Sequence, residues 1–294
     1  MSAEVTSPGV SIVIPVFNAA KTIGACIQSV IDSDFPANEL EILVVDNGCT
    51  DSTATVLREF AGRITVLEES TRGPAAARNR GIRGARGRVI AMTDADCVVD
   101  RDWVRSLIAP LCDGGVGIAG GRILSIDPDH EIASFGDEIH DHEKAIEVYS
   151  PPYVITMNWA APAALFAAIG HFDEELLRCE DVDLSYRAVQ DGWKLVYAPA
   201  AVVRHHNERT WRGLFGEGIA HGLYSVQAIR KHAGFLEAFG HRRVNLASYT
   251  AIAASLRRAA AGPESERARC ELVFNCGKKV GKLAGSIRFG HLEL

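Results

Sequence analysis

Residues 72–96 read RGPAAARNRGIRGARGRVIAMTDAD. Gly73-Pro74 predicts a helix start, because a proline in the first helical turn gives up an N–H that has no partner there anyway. Arg88–Thr93 then runs apolar without alternation, the pattern of a strand buried on both faces. That strand ends at Asp94-Ala95-Asp96. A helix feeding a buried strand that stops at two carboxylates is a unit of an α/β fold, where ligands lie beyond the carboxyl ends of the strands.

Working outward, the same alternation of periods recurs. Val10–Val16 (VSIVIPV) and Glu41–Asp46 (EILVVD) are further buried strands, and Ile64–Leu67 reads as another strand. Between the first two, Ile23, Cys26, Ile27, Val30 and Ile31 recur at helical spacing. Asp51 or Ser52 can cap a short helix through Phe60. This βαβαβαβ order predicts an open, mainly parallel sheet with helices on both faces. Asn18, Asp46, Asp94 and Asp96 all fall at strand ends. Further on, strands are expected near 116–124 and over 194–204, with a helix over 180–191. The acidic stretch 127–150 reads as a loop or short helix, and everything after 211 as helical. The body, 1–210, divides into halves of about 1–100 and 113–210, followed by a tail at 211–294.

The net charge is -6 over 294 residues, and its distribution is uneven. Residues 211–294 carry 13 Lys/Arg against 6 Asp/Glu, leaving 18 against 31 in residues 1–210. A basic tail on an acidic body suits an anionic partner for the tail, such as a phospholipid surface, and nothing points to nucleic acid. Seven cysteines without any C-x-x-C pair fit free thiols in a reducing cytosol. The opening MSAEVTSPGV has neither the basic nor the apolar region of a signal peptide. No apolar run approaches the ~18 residues of a membrane span, so any membrane contact is expected to be peripheral.

Asp94 and Asp96 are the leading candidates for chemistry. Two carboxylates two residues apart can reach one hard cation, Mg2+ or Mn2+, which prefers oxygen ligands and keeps positions open for phosphate. The bland alternative is an acidic turn, and the position after a fourth strand favours the ligand reading. Arg72 and Arg78 are either a solvated helix face or contacts for a diphosphate. Glu180, Asp181 and Asp183 open a helix, where the dipole favours acids. Crowded carboxylates also suit a general base. His205-His206 is either a surface pair or a source of one imidazole ligand. Asp127, Asp129, His130, Asp137, His140, Asp141 and His142 have no metal-site spacing and are read as solvated.

Read in order, SIVIPVFNA (11–19), EILVVDNGCTDST (41–53), RGPAAARNRGIRGARGRVIAMTDAD (72–96), FDEEL (172–176), CEDVDLSYRAVQDGW (179–193) and APAAVVRHH (198–206) resemble a family 2 glycosyltransferase of the GT-A fold. The resemblance covers about two-thirds of the chain. It implies that Pro15, Phe17 and Asn18 line a nucleotide pocket and that Asp46 receives base or ribose. Asp94 would meet ribose or metal, and Asp96 metal and diphosphate. Asp181 would be the general base with Glu180 beside it, and His205 a metal ligand. Asn158, in the acceptor-side strand, would bind the acceptor. The implied reaction moves a sugar, with inversion, from a nucleotide-diphosphate sugar (a UDP-sugar by default) to a glycan or lipid-linked hydroxyl in cell-surface polysaccharide or glycolipid synthesis. Asn47, Cys49, His171 and Cys179 depart from the commoner pattern, which leaves donor and acceptor identity open.

Rival functions fare less well. A sugar-1-phosphate nucleotidyltransferase carries a Gly-rich basic loop after its first strand, but PVFNAAK (15–21) has no glycine. A dinucleotide dehydrogenase fails on the same loop. A non-catalytic GT-A partner in polysaccharide assembly would not need Asp94, Asp96, Glu180 and Asp181. In the tail, Val273, Cys276, Val280, Leu283 and Ile287 form an apolar helical stripe near Lys278, Lys279, Lys282 and Arg288. That stripe is expected either to pack on the body or a second subunit, as in a homodimer, or to lie on an anionic membrane at the cytoplasmic face.

Overall fold

The computed structural model describes residues 9–244, 246–260 and 265–293. Residues 1–8, which hold most of the segment read as lacking a signal peptide, lie outside them. The elements run β1 (Val10–Val16), α1 (Ile23–Ile31), β2 (Leu40–Asp46), α2 (Thr53–Glu59), β3 (Thr65–Glu68), α3 (Pro74–Gly84), β4 (Val89–Thr93), β5 (Cys97–Val99) and α4 (Trp103–Ile108). There follow β6 (Val116–Ser125), α5 (Glu131–Ser134), α6 (Gly136–Ile139), β7 (Asn158–Pro162), α7 (Ala163–Ile169), α8 (Glu180–Gln190) and β8 (Lys194–His205). Four helices close the chain: α9 (Trp211–Lys231), α10 (Ala233–Ala238), α11 (Leu246–Ala260) and α12 (Ser265–Phe289).

The strands form one sheet in the order β3-β2-β1-β4-β7-β6-β8-β5. β1 pairs in parallel with β2 and β4, and β2 with β3. Beyond β4 the pairing turns antiparallel, at β4–β7, β6–β7 and β5–β8. The parallel half is the one whose apolar runs are legible in the sequence. Within it β1, β2 and β4 are buried on both faces, while β3 is a largely exposed edge strand. Ile12, Ile14 and Val44 share an apolar layer with Ile23, Ile27 and Val30 of α1. Val13, Leu43 and Val45 face the opposite layer, with Ala75, Ala77 and Ile82 of α3. Alternating side chains point to opposite faces, so a strand covered on both needs an unbroken apolar run.

The chain divides into two compact units. The first holds the chain to Ile123 together with Asp141–Glu174 and Leu184–His205; the second holds Leu124–His140, Glu175–Asp183 and the chain from His206. The change expected near 210 is therefore joined by two short segments that the sequence assigned to the body.

The second unit is organised by glycines. A Cβ on Gly222 of α9 would stand 2.0 Å from the carbonyl oxygen of Lys278, and one on Gly281 of α12 2.0 Å from that of Ile219. Gly218, Gly277 and Gly285 meet the facing backbone in the same way. The two helices thus touch backbone to backbone along a ridge that only glycine permits. Ile132, Phe135, Leu214, Cys270 and Phe274 form an apolar cluster beside it. The carboxylate of Asp183 is fully buried and bound by Lys231 Nζ at 2.6 Å and His232 Nε2 at 2.8 Å.

One expectation is narrowed here and one corrected. Of the two readings of the α12 stripe, internal packing fails for Val280, Leu283 and Ile287, which are exposed while the glycines face α9, and holds for Val273, which packs on the apolar cluster. Only part of its basic flank is outward, since Lys282 reaches Glu293 at 3.2 Å. Second, His140 and His142, read as solvated, are buried. His142 is locked between two backbone groups, Nδ1 donating to the carbonyl of Gly121 at 2.6 Å and Nε2 accepting from the amide of Ile155.

Candidate active site

The carboxyl ends of β1, β2 and β4 bring together the candidates of the first unit. β1 leads into Phe17 and Asn18. Asn18 has φ of 51°, a left-handed conformation that asparagine tolerates better than most residues. Its Oδ1 accepts from the amide of Thr50 at 2.7 Å, joining the β1 loop to the β2 loop. At the end of β2, Asp46 Oδ1 accepts from the amide of Cys49 at 2.8 Å. The turn so closed places Gly48 at φ of 76°, where a Cβ would be strained. Pro15 lies within β1, half-buried.

Asn47 has a role the sequence did not disclose. Its buried side chain donates to the carbonyls of Glu69 and Thr71 and accepts from the amide of Gly73 at 2.9 Å. It therefore fastens the turn after β2 to the loop that starts α3. Arg72 lies in that loop. Its guanidinium sits 4.4 Å from the centroid of the exposed Phe17 ring, and Nη1 donates to the Asn47 carbonyl. An arginine stacked on an aromatic ring beside exposed strand ends has the chemistry to meet a planar base or a phosphate.

β4 delivers Asp94 and Asp96. Arg78, on α3 and 5% exposed at its side chain, donates through Nη2 to Asp94 Oδ1 at 2.8 Å. The buried arginine thus holds Asp94 in place rather than facing solvent. Beneath the same turn, the Cys26 thiol donates to the Asp94 carbonyl at 3.3 Å. Burial, with the nearby charges of Asp96 and Asp94, pushes the pKa of that thiol up, so it stays protonated.

Asp96 lies two residues further, its side chain 44% exposed. β5 pairs antiparallel with β8, setting Cys97 opposite His205. That register brings His205 Nε2 to 3.4 Å from Asp96 Oδ2. The ligand atoms of Asp96, Cys97 and His205 all lie within 4.8 Å of one another. Burial, then the charges of Asp96 and Asp94, push the Cys97 thiol up, while Asp96 and His205 offer a carboxylate oxygen and an imidazole nitrogen. This set fits a divalent ion that accepts oxygen and nitrogen together.

Asn158, expected to touch the acceptor, is a buried bracket of the sheet instead. It is fully enclosed; its Oδ1 accepts from Trp103 Nε1 at 2.8 Å, and its Nδ2 donates to the carbonyls of Arg122 and Ala201. A side chain so occupied does not present itself to an acceptor.

Glu180 and Asp181 start α8. Glu180 is buried and Asp181 half-buried, its Oδ1 accepting from the amide of Val182 at 2.8 Å. Cys179, just before them, has φ of 64°. Asp183, one turn in, is the buried partner of Lys231 and His232, which explains it as an anchor of this helix start.

Residues 11–176 match the family described as Glycosyl transferase family 2. The chain belongs to that family, and it is a glycosyltransferase of the GT-A fold. It is 29% identical over 205 residues to Glycosyltransferase AglE of Haloferax volcanii, spanning 68% of this chain and 67% of that one. Against the Pre-mycofactocin glycosyltransferase of Mycobacterium tuberculosis it is 30% identical over 216 residues, 69% of this chain and only 44% of the relative. In fold it is similar to the mannosyltransferase PcManGT of Pyrobaculum calidifontis, solved with GDP-Man and Mn2+. The TM-score is 0.70 at 23% identity, covering 95% of this chain and 88% of that one. It is also similar to S. aureus TarS in complex with UDP-GlcNAc, with a TM-score of 0.56 at 17% identity, covering 96% and 92%. At these identities the two likenesses show the fold alone.

Proposed function

We propose that this glycosyltransferase moves a sugar from a nucleoside-diphosphate sugar to an acceptor hydroxyl with inversion, using Mg2+ or Mn2+ held by Asp96 and His205. The observation that carries the reading is the meeting of Asp96 and His205 at the end of the sheet, beside an Asp94 pinned by a buried arginine. Bound there, a divalent ion offsets the negative charge that develops on the leaving nucleoside diphosphate. The chain's own residues do the rest. Phe17, Asn18, Asp46 and Arg72 receive the nucleotide, with Pro15 shaping the strand beneath. Arg78 keeps Asp94 oriented towards ribose. Asp181 takes the proton of the acceptor hydroxyl as its oxygen bonds to the anomeric carbon and the bond to the diphosphate breaks on the opposite face. Glu180 supports Asp181.

Neighbours in fold carry GDP-Man and UDP-GlcNAc, which supports a nucleotide sugar as donor, with a UDP-sugar as the default. For the acceptor we favour a glycan or lipid-linked hydroxyl in cell-surface polysaccharide or glycolipid synthesis. Seven free thiols suit a cytoplasmic setting. Among the described residues no helix is long and apolar enough to cross a membrane, and the exposed apolar side of α12 fits a peripheral place on its surface.

The test is the metal dependence of nucleotide binding. Mn2+ with UDP or GDP should raise the melting temperature of the unaltered protein by mass action. Asp96→Ala should lose the metal-dependent part of that rise and most turnover of a nucleotide sugar. Full turnover in excess chelator would overturn the reading.

A further inference from the structure

The second unit contains a cluster that the proposed transfer reaction does not use. Glu217 and His221 stand four residues apart on α9, which puts both on one face of the helix. His140 arrives at the end of α6. Its Nε2 is 3.7 Å from Glu217 Oε1, and His221 Nε2 is 3.8 Å from the same oxygen. The three donor atoms all lie within 4.8 Å of one another. Both nitrogen–oxygen separations exceed hydrogen-bonding reach. Around a tetrahedral ion with bonds of about 2.0–2.1 Å, donor atoms stand roughly 3.3–3.4 Å apart. An ion would therefore shorten the two nitrogen–oxygen separations by a few tenths of an ångström and bring the imidazoles, now within 4.8 Å, onto the same sphere.

The surroundings hold the donors in place. The amide of His140 donates to the carbonyl of Gly136 at 2.9 Å. Gly136 lacks a Cβ where the Asn207 amide lies, and Asn207 Nδ2 in turn holds the Ala133 carbonyl. The His221 ring packs edge-on against Phe274, with centroids 5.5 Å apart, and Phe274 packs against Phe135. Donors set in an apolar wall are the usual surroundings of a bound metal ion.

We propose that His140, Glu217 and His221 form a second metal site, for a borderline divalent ion such as Zn2+ or Co2+. Two imidazoles and one carboxylate select such ions over Mg2+ and Mn2+, which prefer oxygen. Lys278 and Arg178 bring positive charge to His221, which opposes every cation there, so the ion must be held by ligand bonds rather than by charge. Three protein donors leave a fourth position for water or another ligand.

Cobalt is the probe. Chelator-treated protein titrated with Co2+ should show visible d–d absorption and one tight equivalent. That equivalent should persist in Asp96→Ala and in the presence of excess Mg2+. It should weaken at least tenfold in Glu217→Gln and vanish in His221→Ala. Glu217→Gln keeps its shape, so it carries the test if His221→Ala does not fold. Co2+ binding lost with Asp96→Ala, or unchanged in Glu217→Gln, would overturn the site.

Discussion

Asp181 and Glu180 are adjacent carboxylates at one helix start, and their burial separates them. Glu180 is buried, whereas Asp181 is half-buried and keeps part of its surface open. Asp181→Asn retains shape and removes basicity. Nucleotide-sugar binding should survive while turnover falls by about 10²-fold or more, read as kcat against KM. A silent Asp181→Asn beside a damaging Glu180→Gln would reverse the roles. A second residue offers a prediction in acid. Burial pushes the pKa of His142 down to about 4 from an ordinary 6.5. Above pH 6.5 the imidazole is neutral in both folded and unfolded chains, so nothing is lost. As pH falls from 6.5 towards 4 the unfolded chain takes a proton that the native one refuses, and stability drops by up to about 3 kcal/mol. Titration of the His142 ring by NMR should give a midpoint below 5. A midpoint near 6.5 would show that the ring is not held between Gly121 and Ile155.

The α9–α12 pair makes a prediction at the scale of elements. Replacing a helical glycine by alanine ordinarily stabilises, by about 0.5–1 kcal/mol. At Gly222 and Gly281 the sign should reverse, because the added methyl meets a carbonyl oxygen of the facing helix. Overpacking of this kind costs about 1–3 kcal/mol. Gly216, on the same helix α9, has nothing within 4 Å of its Cβ position and serves as control. Urea denaturation should show Gly216→Ala neutral or stabilised, with Gly222→Ala and Gly281→Ala destabilised. Equal effects at all three would mean that the two helices do not touch as described.

For the whole molecule, the question is what meets the exposed side of α12. Because α12 packs on α9, deleting it would disturb the fold, and surface substitutions make the better experiment. Val280, Leu283 and Ile287 are outward, the last 78% exposed, and Arg288 is exposed beside them. Each basic residue near an anionic bilayer contributes about 1 kcal/mol, so the hold should be modest and salt-sensitive. The unaltered protein should pellet with anionic vesicles at low salt, and Leu283→Glu with Ile287→Glu should abolish it. No pelleting of the unaltered protein would defeat the membrane reading. Sedimentation velocity then separates a homodimer through the same face, since the paired substitutions would dissociate it.

Much of the first unit is legible in the sequence alone. Strands covered on both faces need unbroken apolar runs, and helices covered on one face need spaced ones, so β1, α1, β2, α3 and β4 declare themselves locally. The acids at the strand ends follow from the same local reading, because the chain must turn where the apolar run stops. Tertiary structure decided what depends on partners distant in sequence. Asp96 meets His205 only through the β5–β8 register. Arg78 is a buried clamp on Asp94, and Asn158 a bracket between strands, though each reads locally as a polar residue near a site. His140 and His142 lie in a stretch so acidic that its composition argues for solvent, and only packing buries them. In α12 the apolar stripe leaves packing and exposure both open, and the face buried against α9 is the glycine ridge instead. Periodicity counts side chains that dislike water, whereas a glycine ridge buries backbone against backbone and leaves no apolar signature in the sequence.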